Sequence, residues 1–163
     1  MTMNDYQKFI AISRYARWLP DKGRRETWEE TVDRYMGNVV SQHVSDPDLY
    51  DEIQQAIVNL EVMPSMRSVM TAGPAAERDN TCMYNCSYLP VDDLKSFDEA
   101  MFILLCGTGV GFSVERQSIA KLPEVPDTLF DSDTVVAVKD SKEGWAKALR
   151  QVIALLFAGE IPK

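Results

Sequence analysis

The segment from Arg78 to Gln117 constrains the fold most, because within it the spacing of apolar residues changes from a helical period to a strand period. From Tyr84 to Pro90 the residue type alternates at every second position, which predicts a short strand with two different faces. Glycines between positions 107 and 111 then lead into a second predicted strand, Val110 to Glu115. The chain therefore contains strands beside its helices, and Cys86 lies on a predicted strand that faces a glycine loop.

The first half of the chain has the apolar spacing of helices. Trp28 to Val40 gives the clearest helix, with apolar residues at i, i+4, i+7, i+8 and i+11. Other helices are expected from Asn4 to Trp18 and from Asp46-Pro47 onward, because a carboxylate caps free N–H groups and proline lacks one. Pro64 to Asn80 is predicted to be an ordered loop. The apolar residues of these two further helices are Phe9, Ile10, Ile12, Tyr15, Ile53, Ile57 and Leu60.

The second half mixes strands and helices in the order strand, helix, strand, strand, helix, which predicts α/β layers. A capping box at Ser96 and Glu99 starts the first helix. Thr134 to Lys139 is a third predicted strand, and Asp140 and Glu143 open the last helix. The side chains expected to face inward are Phe97, Met101, Leu104 and Leu105 on the first helix, and Trp145, Leu149, Val152, Ile153 and Leu156 on the last. We predict a helical domain over residues 1–62 and a second domain over residues 63–163.

Composition excludes several classes of protein. A chain of 163 residues that is 45% hydrophobic and 26% charged can bury a core without disulfides or metal. Its net charge of -8 disfavours nucleic-acid binding, which requires Lys and Arg gathered on one face. No run approaches the roughly 18 apolar residues of a membrane span, and Asp5, Arg14, Arg17 and Asp21 interrupt any signal-peptide core. We expect a cytoplasmic protein that binds neither nucleic acid nor membrane.

The sequence GTGVGFSV leaves two interpretations of the glycine loop. A dinucleotide fingerprint follows a strand and opens a helix, whereas here a predicted helix precedes the glycines and a strand follows. A P-loop is excluded because the GK[ST] ending is missing. In the structural interpretation, Gly107 ends a helix while Gly109 and Gly111 permit a tight turn. In the functional interpretation, the glycines allow the backbone to approach a ligand closely.

The cysteines and the one histidine do not indicate a metal site. Cys82, Cys86 and Cys106 are an odd number in a chain without a secretion signal, so a structural disulfide framework is not expected. Zinc requires four ligands, and His43 is the only histidine. We interpret Cys106 as a small buried hydrophobe and His43 as a surface residue, and leave the role of Cys82 open. The acidic pairs interpreted as solvated faces and caps are Glu29-Glu30, Asp92-Asp93 and Asp98-Glu99.

Three segments carry a resemblance to a known family. They are Tyr15-Ala16-Arg17 with RRETWEE from Arg24 to Glu30, MPSMRSVMTAGPAAERDN from Met63 to Asn80, and YNCSY through GTGVGFSVERQ from Tyr84 to Gln117. In them the chain resembles the N-terminal portion of the large, catalytic subunit of ribonucleotide reductases, closest to the adenosylcobalamin-dependent class II enzymes and their phage forms. The resemblance implies that residues 63–163 form the first part of a ten-stranded α/β barrel.

The resemblance also implies a role for each matching residue. Cys86 matches a cysteine of a redox pair beneath the ribose, which delivers two electrons while a thiyl radical on another cysteine activates the sugar. An exposed, exchangeable thiol suits this role. The positions that match the substrate pocket are Pro64, Ser65, Met66, Asn85, Gly107, Gly109 and Gly111, and those that match contacts to a deoxynucleotide effector are Asp92, Asp93 and Arg116.

Much of the family's catalytic machinery has no match in these residues. In the family, the radical cysteine, the second redox cysteine, most of the barrel and most contacts to adenosylcobalamin follow the matching segments. We therefore expect an incomplete barrel in a split reductase, completed by a complementary chain that also holds adenosylcobalamin, with a thioredoxin-like dithiol as reductant and a ribonucleotide as substrate. The alternative is a non-catalytic nucleotide-binding or regulatory fragment of a broken reductase gene.

Overall fold

The computed structural model describes residues 3–163, and the chain divides into two units, Met1–Tyr84 and Asn85–Lys163. The first unit extends beyond the boundary predicted after residue 62. The reason is that the predicted loop from Pro64 to Asn80 is wrong: this stretch forms two short helices, and Val69 is buried in the core of the first unit.

The first unit is mainly helical, as the sequence predicts. Its helices are α1 (Asp5–Ile10), α2 (Trp28–Asn38), α3 (Pro47–Val58), α4 (Met66–Thr71) and α5 (Pro74–Arg78). A π-helical turn, Ala11–Tyr15, extends α1, and β1 (Trp18–Leu19) pairs with β2 (Arg24–Arg25) in an antiparallel hairpin. Short 3-10 turns occupy Pro20–Lys22, Val40–Gln42 and Asn80–Met83. The helix start predicted at Asp46 is confirmed, because Asp46 Oδ1 accepts the N–H of Asp48 at 3.0 Å.

A cluster of buried apolar side chains joins these helices. Its fully or nearly fully buried members are Ala11, Tyr15, Trp28, Val32, Met36, Val40, Ile57 and Val69. The apolar stripe predicted for α2 is therefore confirmed. The π turn brings Ala11 and Tyr15 to the core, whereas Phe9 and Ile12 are exposed. The mixed α and π geometry explains why the apolar spacing of this segment fits a regular helix imperfectly.

A buried ion pair connects the core to its surroundings. Arg34 Nε donates to Glu26 Oε1 at 2.9 Å, and both side chains are almost fully buried. The same guanidinium donates to the carbonyls of Tyr15, Val69 and Ala72, each at 3.0 Å. Every described donor group of this buried cation therefore has an acceptor, as a buried charge requires.

The second unit contains helices and two pairs of short strands. In chain order, its elements are β3 (Cys86–Pro90), α6 (Lys95–Leu105), β4 (Gly109–Ser113), α7 (Arg116–Ile119), β5 (Phe130–Asp131), α8 (Lys142–Phe157) and β6 (Glu160–Ile161). The strands pair as β3 with β4 and β5 with β6, both parallel. The mixture of helix and small sheets agrees with the predicted fold class.

The third strand predicted in this unit is misplaced. The strand is Phe130–Asp131, and residues 134–139 are irregular. Backbone bonds nevertheless continue beyond β5 and β6, since the N–H of Lys163 donates to Thr134 O at 2.8 Å and that of Val136 to Lys163 O at 3.1 Å. Alternation of residue type identified an extended segment but not where its pairing is regular.

The buried faces of α6 and α8 also differ from the prediction. Leu104, Leu105 and Trp145 are exposed, at 56%, 42% and 47%. Ser96 forms no capping box with Glu99, because its hydroxyl donates to Pro90 O at 3.0 Å.

An ion pair between α6 and α8 corrects the interpretation of Asp98 as a solvated residue. Arg150 Nε donates to Asp98 Oδ2 at 2.9 Å, and Asp98 is 3% exposed. This pairing raises the pKa of Arg150 above its ordinary value. Asp98 Oδ1 is buried without a hydrogen-bond partner among the described residues. None of the helices within residues 3–163 is both long and apolar enough to cross a membrane.

Candidate active site

Cys86 begins a parallel strand pair whose register places it beside a glycine. In β3 and β4, Cys86 pairs with Gly109 and Tyr88 with Gly111. Helix α6 forms the crossover between the strands, as parallel pairing requires. The predicted juxtaposition of the cysteine strand and the glycine segment is therefore present.

The thiol lies on the open side of this pair. Partners in neighbouring strands point to the same face, so Cys86, Tyr88, Gly109 and Gly111 share one surface, which we call the Cys86 face. All four are exposed, and on the opposite surface Leu89 is half-buried while its register partner Phe112 is exposed. Cys86 is thus accessible, in contrast to Cys82 and Cys106, which are both 8% exposed.

The glycines do two different things. Gly107 has φ 84°, a left-handed conformation that ends α6 as the structural interpretation predicts. Gly109 and Gly111 lie within β4, not in a turn, so that interpretation is wrong for them. A methyl group at Gly109 would stand 3.4 Å from the Asn85 carbonyl oxygen, and one at Gly111 would stand 3.9 Å from the Tyr88 ring. Neither contact forbids a side chain, so what these glycines provide is a Cys86 face without side chains.

Asn85 and Ser87 hold the two strands in register. The N–H of Gly109 donates to Asn85 O at 2.8 Å, and Ser87 Oγ donates to Gly109 O at 3.1 Å. The backbone carbonyl of Asn85 therefore fixes the position of Gly109. Asn85 is exposed, and its contact with substrate stays a prediction.

The predicted substrate residues Pro64, Ser65 and Met66 lie in the first unit, at the start of α4. Ser65 is the N-cap, and its hydroxyl accepts the N–H of Ser68 at 3.4 Å. Met66 is exposed. The capping hydroxyl fixes the start of α4, and the contact of these three residues with substrate stays a prediction.

The residues predicted to bind an effector follow the carboxyl ends of β3 and β4. In a parallel pair these carboxyl ends lie side by side, and Cys86 lies at the amino end of β3. Asp93 Oδ1 accepts the N–H of Lys95 at 2.8 Å, and Asp92 Oδ2 accepts from Lys121 Nζ at 2.9 Å. Arg116 is the exposed first residue of α7. The amino end of the strand pair therefore carries the thiol, and two carboxylates and Arg116 follow its carboxyl end.

Sequence reasoning missed two contacts of this region. The ring of Tyr88 lies beside Gly111 on the Cys86 face, and the two-residue spacing from Cys86 was an available signal. Lys142 Nζ donates to Cys106 Sγ at 3.4 Å. No local pattern reveals this second contact, because the partners belong to different helix ends.

Comparison with known proteins identifies relatives of this chain. An adenosylcobalamin-dependent ribonucleoside-triphosphate reductase from Lactobacillus delbrueckii subsp. bulgaricus is 31% identical over 83% of the chain. A Mycobacterium phage D29 protein, placed by its name in the same class, is 28% identical over 90% of the chain. The crystal structure of a B12-dependent, class II ribonucleotide reductase matches 94% of the chain with a TM-score of 0.74 and 22% identity. The chain is homologous to adenosylcobalamin-dependent ribonucleotide reductases.

The match to these reductases is partial on their side. The chain spans 22% of the length of the Lactobacillus delbrueckii reductase, 25% of the phage protein and 31% of the solved reductase structure. No protein-family model matches the chain. The resemblance stated from the sequence is confirmed, and at 22% identity the solved reductase supports the fold.

The described residues do not fit the reductases' cofactor, adenosylcobalamin. His43, the only histidine in the sequence, lines a cavity of about 510 Å³ in which the polar Asn38, Gln42, Glu77 and Asn80 alternate with the apolar Val39, Ala76 and Met83. A corrin ring requires a broad, mostly apolar surface, and the described cavity of that kind, which includes Val138, Trp145 and Leu149, contains no histidine. Within residues 3–163, no group of three His, Cys, Asp or Glu side chains is placed to hold a metal ion.

Proposed function

We propose that this chain supplies one redox thiol, Cys86, to an adenosylcobalamin-dependent ribonucleotide reductase that converts ribonucleotides to 2′-deoxyribonucleotides. The observation that carries this proposal is the exposed thiol on an open sheet surface, beside two glycines of the neighbouring strand. A buried structural cysteine would instead pack among apolar side chains. The homologous reductases support the reaction class.

The proposed role of Cys86 is that of a reductant. Cys86 and a second thiol together give up two electrons and two protons and become a disulfide. The ribose 2′-hydroxyl leaves as water, and a hydrogen takes its place at the 2′ carbon, so atoms and electrons balance. An external thioredoxin-like dithiol then reduces the disulfide by thiol–disulfide exchange, which requires an accessible sulfur.

The neighbours of Cys86 shape the surface on which a sugar would lie. Gly109 and Gly111 leave room beside the thiol, and Tyr88 forms a wall next to Gly111. The backbone hydrogen bond from the Gly109 N–H to the Asn85 carbonyl oxygen holds Gly109 in register with Cys86. We propose that these residues position the ribose against the sulfur.

The second unit carries apolar surface that fits a further reductase component. Tyr88, Leu104, Phe112 and Val114 are all more than half exposed. A parallel sheet is normally covered on both faces, and exposed apolar surface of this kind marks an interface. We propose that the remaining barrel elements, expected on a complementary chain, cover it and hold adenosylcobalamin, which supplies the radical when bound.

We also propose that a deoxynucleotide effector binds at the carboxyl edge of β3 and β4. Arg116 offers a cation to its phosphates, and Asp92 and Asp93 offer acceptors to its sugar hydroxyl. Since Asp93 Oδ1 accepts the N–H of Lys95, the first residue of α6, effector binding at this end would act on the element that joins the two strands.

Reconstitution with the complementary reductase component tests the role of Cys86. With ribonucleotide, adenosylcobalamin and a dithiol, the Cys86→Ser variant is expected to lose turnover by about 1000-fold or more while still assembling. Cys82→Ser is the matched control and should keep turnover. Multiple turnovers by Cys86→Ser would refute the assignment. A complex that binds deoxynucleotide but reduces nothing, even with wild-type chain, would favour the regulatory alternative.

The Gly111→Ala variant tests the open surface separately. Its methyl group meets only ordinary contacts, at 3.7 Å from Ser87 O and 3.9 Å from Tyr88 Cδ2, so assembly and stability should be retained. Because the methyl group projects onto the Cys86 face, turnover should fall by about 10-fold through misplacement of the substrate. Unchanged turnover would show that substrate does not approach β4 at this position.

A further inference from the structure

Lys142 and Cys106 form a nucleophile pair that the proposed reductase chemistry does not use. Lys142 Nζ donates to Cys106 Sγ at 3.4 Å, and the ammonium group lies 5.9 Å from the centre of the Phe102 ring. Cys106 is 8% exposed and Lys142 is half-buried. Most of the pair is thus shielded from bulk solvent, and a part of each residue is exposed.

Both partners are fixed by the ends of their helices. Cys106 is the C-cap of α6, and its N–H donates to Phe102 O at 3.0 Å and to Ile103 O at 3.1 Å. Lys142 is the first residue of α8, whose N-cap Ser141 accepts the N–H of Gly144 at 3.0 Å. The sulfur and nitrogen are therefore held near each other by regular structure on both sides.

We propose that Cys106 and Lys142 are a peroxide-sensitive modification site, at which oxidation joins the two side chains through a single oxygen atom as an S–O–N bridge. The thiolate attacks a peroxide oxygen, and its first product is a sulfenic acid. A second peroxide oxidises the amine held at hydrogen-bond distance, and the sulfenic oxygen then bonds to its nitrogen instead of leaving as water.

The bridge balances with hydrogen peroxide as the oxidant. The lysine first gives one proton to solvent. The thiol and the neutral amine then each lose one hydrogen, one oxygen atom enters between sulfur and nitrogen, and two molecules of hydrogen peroxide become three molecules of water. Four electrons pass to the peroxide, and the S–H bond and one N–H bond are replaced by S–O and O–N bonds.

The observed separation favours an oxygen-bridged product over a direct S–N bond. A direct bond would bring sulfur and nitrogen from 3.4 Å to covalent contact, which requires the two helix ends to move together. An intervening oxygen leaves them farther apart, closer to the present distance. The bridge would connect the end of α6 to the start of α8. Cys106 is three residues before Gly109, which lies on the Cys86 face.

Peptide mass spectrometry of the purified protein after graded hydrogen peroxide tests this inference. The Cys86→Ser background removes the exposed thiol and its intermolecular disulfides. The expected product gains one oxygen and loses two hydrogens, joins the peptides of Cys106 and Lys142, blocks tryptic cleavage at Lys142, and reverts with dithiothreitol. Both Cys106→Ala and Lys142→Arg should abolish it, and Lys142→Arg retains the positive charge.

Matched controls separate the bridge from general oxidation. Cys82→Ala removes an equally buried cysteine, and Lys147→Arg changes another lysine of α8, so both should leave the bridged product at the wild-type level. Any of three results would overturn the proposal: sulfenic or sulfinic acid at Cys106 beside an unmodified Lys142, a joined product without the added oxygen, or a bridge that persists in Lys142→Arg.

Discussion

The two units of the chain differ in how much apolar surface they bury. In the first, large side chains such as Trp28 and Met36 are buried, and Met36 has no exposed surface at all. In the second, the buried apolar residues described are small, namely Val91, Cys106, Ala146 and Ala148. Large ones, including Leu104, Phe112 and Trp145, are instead exposed.

The difference in burial suits two roles: the first unit has a packed core, and the second carries the exposed thiol. The first unit combines an apolar cluster with a buried ion pair whose described hydrogen-bonding groups are satisfied. The second presents an accessible thiol on an uncovered parallel strand pair, an arrangement that gains stability when both faces are covered. We infer that the first unit carries its own stability, whereas the second depends more on what binds to it.

The Arg34→Ala variant should have the largest effect, because it breaks the first unit from within. The substitution leaves Glu26 buried without its cation and removes the donors to three backbone carbonyls. Breaking a buried pair in this way costs about 3–5 kcal/mol. Urea unfolding followed by helical circular dichroism measures the loss.

An exposed ion pair in the same unit provides the control for Arg34. Arg24 Nη1 lies 2.7 Å from Glu30 Oε2, with both side chains partly in solvent. Arg24→Ala should therefore shift the unfolding midpoint little. Equal losses of unfolding free energy in Arg34→Ala and Arg24→Ala would mean that burial does not make the Arg34–Glu26 pair more stabilising than the exposed pair.

A pair of truncations compares the two units directly. Met36→Ala opens a cavity in the first core and should cost about 2–5 kcal/mol. Leu104→Ala removes a side chain that is 56% exposed on α6 and should change stability by less than about 0.5 kcal/mol. Thermal and urea unfolding of both variants at several protein concentrations gives the comparison.

The result for Leu104→Ala decides whether the second unit is uncovered in solution. A cost as large as that of Met36→Ala would contradict the comparison. If that cost grew with protein concentration, self-association would be covering the exposed face.

Local patterns in the sequence predicted most helices and strands. Which side chains are buried depends on contacts between residues that are far apart in the sequence. The stripe on α2 and the cap at Asp46 were readable because their residues are close in sequence. Ser65 and Pro74 also mark helix starts, so α4 and α5 were predictable from signals that the loop interpretation outweighed. The exposure of Leu104 was not predictable, because the sequence of α6 does not show which of its faces packs against another element.

The candidate site shows the same division. The spacing of Cys86 and the glycines predicted their approach, and the parallel register of β3 and β4 agrees with it. The ion pairs Arg34–Glu26 and Arg150–Asp98 join residues that only the folded chain brings together. A charged residue in a helix has no local mark of burial, so the sequence predicts a solvated Asp98, whereas the side chain is buried.

Acidification should have the smallest effect on the stability of the first unit. Burial raises the pKa of Glu26, but hydrogen bonds from Arg34, the Arg17 N–H and Thr31 outweigh it, and the net pKa is below its ordinary value. A carboxyl group whose pKa is lowered by folding stabilises the protein above its unfolded pKa, about 4.3. This stabilisation is lost as the pH falls through the lower, folded pKa.

Urea midpoints from about pH 7 to about pH 3, at low and high salt, isolate the contribution of Glu26. The pKa of Glu30 is also lowered, by hydrogen bonds from Arg24 and Lys22, but these groups are exposed and salt screens them. The acid loss that persists at high salt should therefore come from Glu26 and become shallower in Glu26→Gln. An unchanged slope in that variant would show that the buried pair of the first unit does not govern its acid stability.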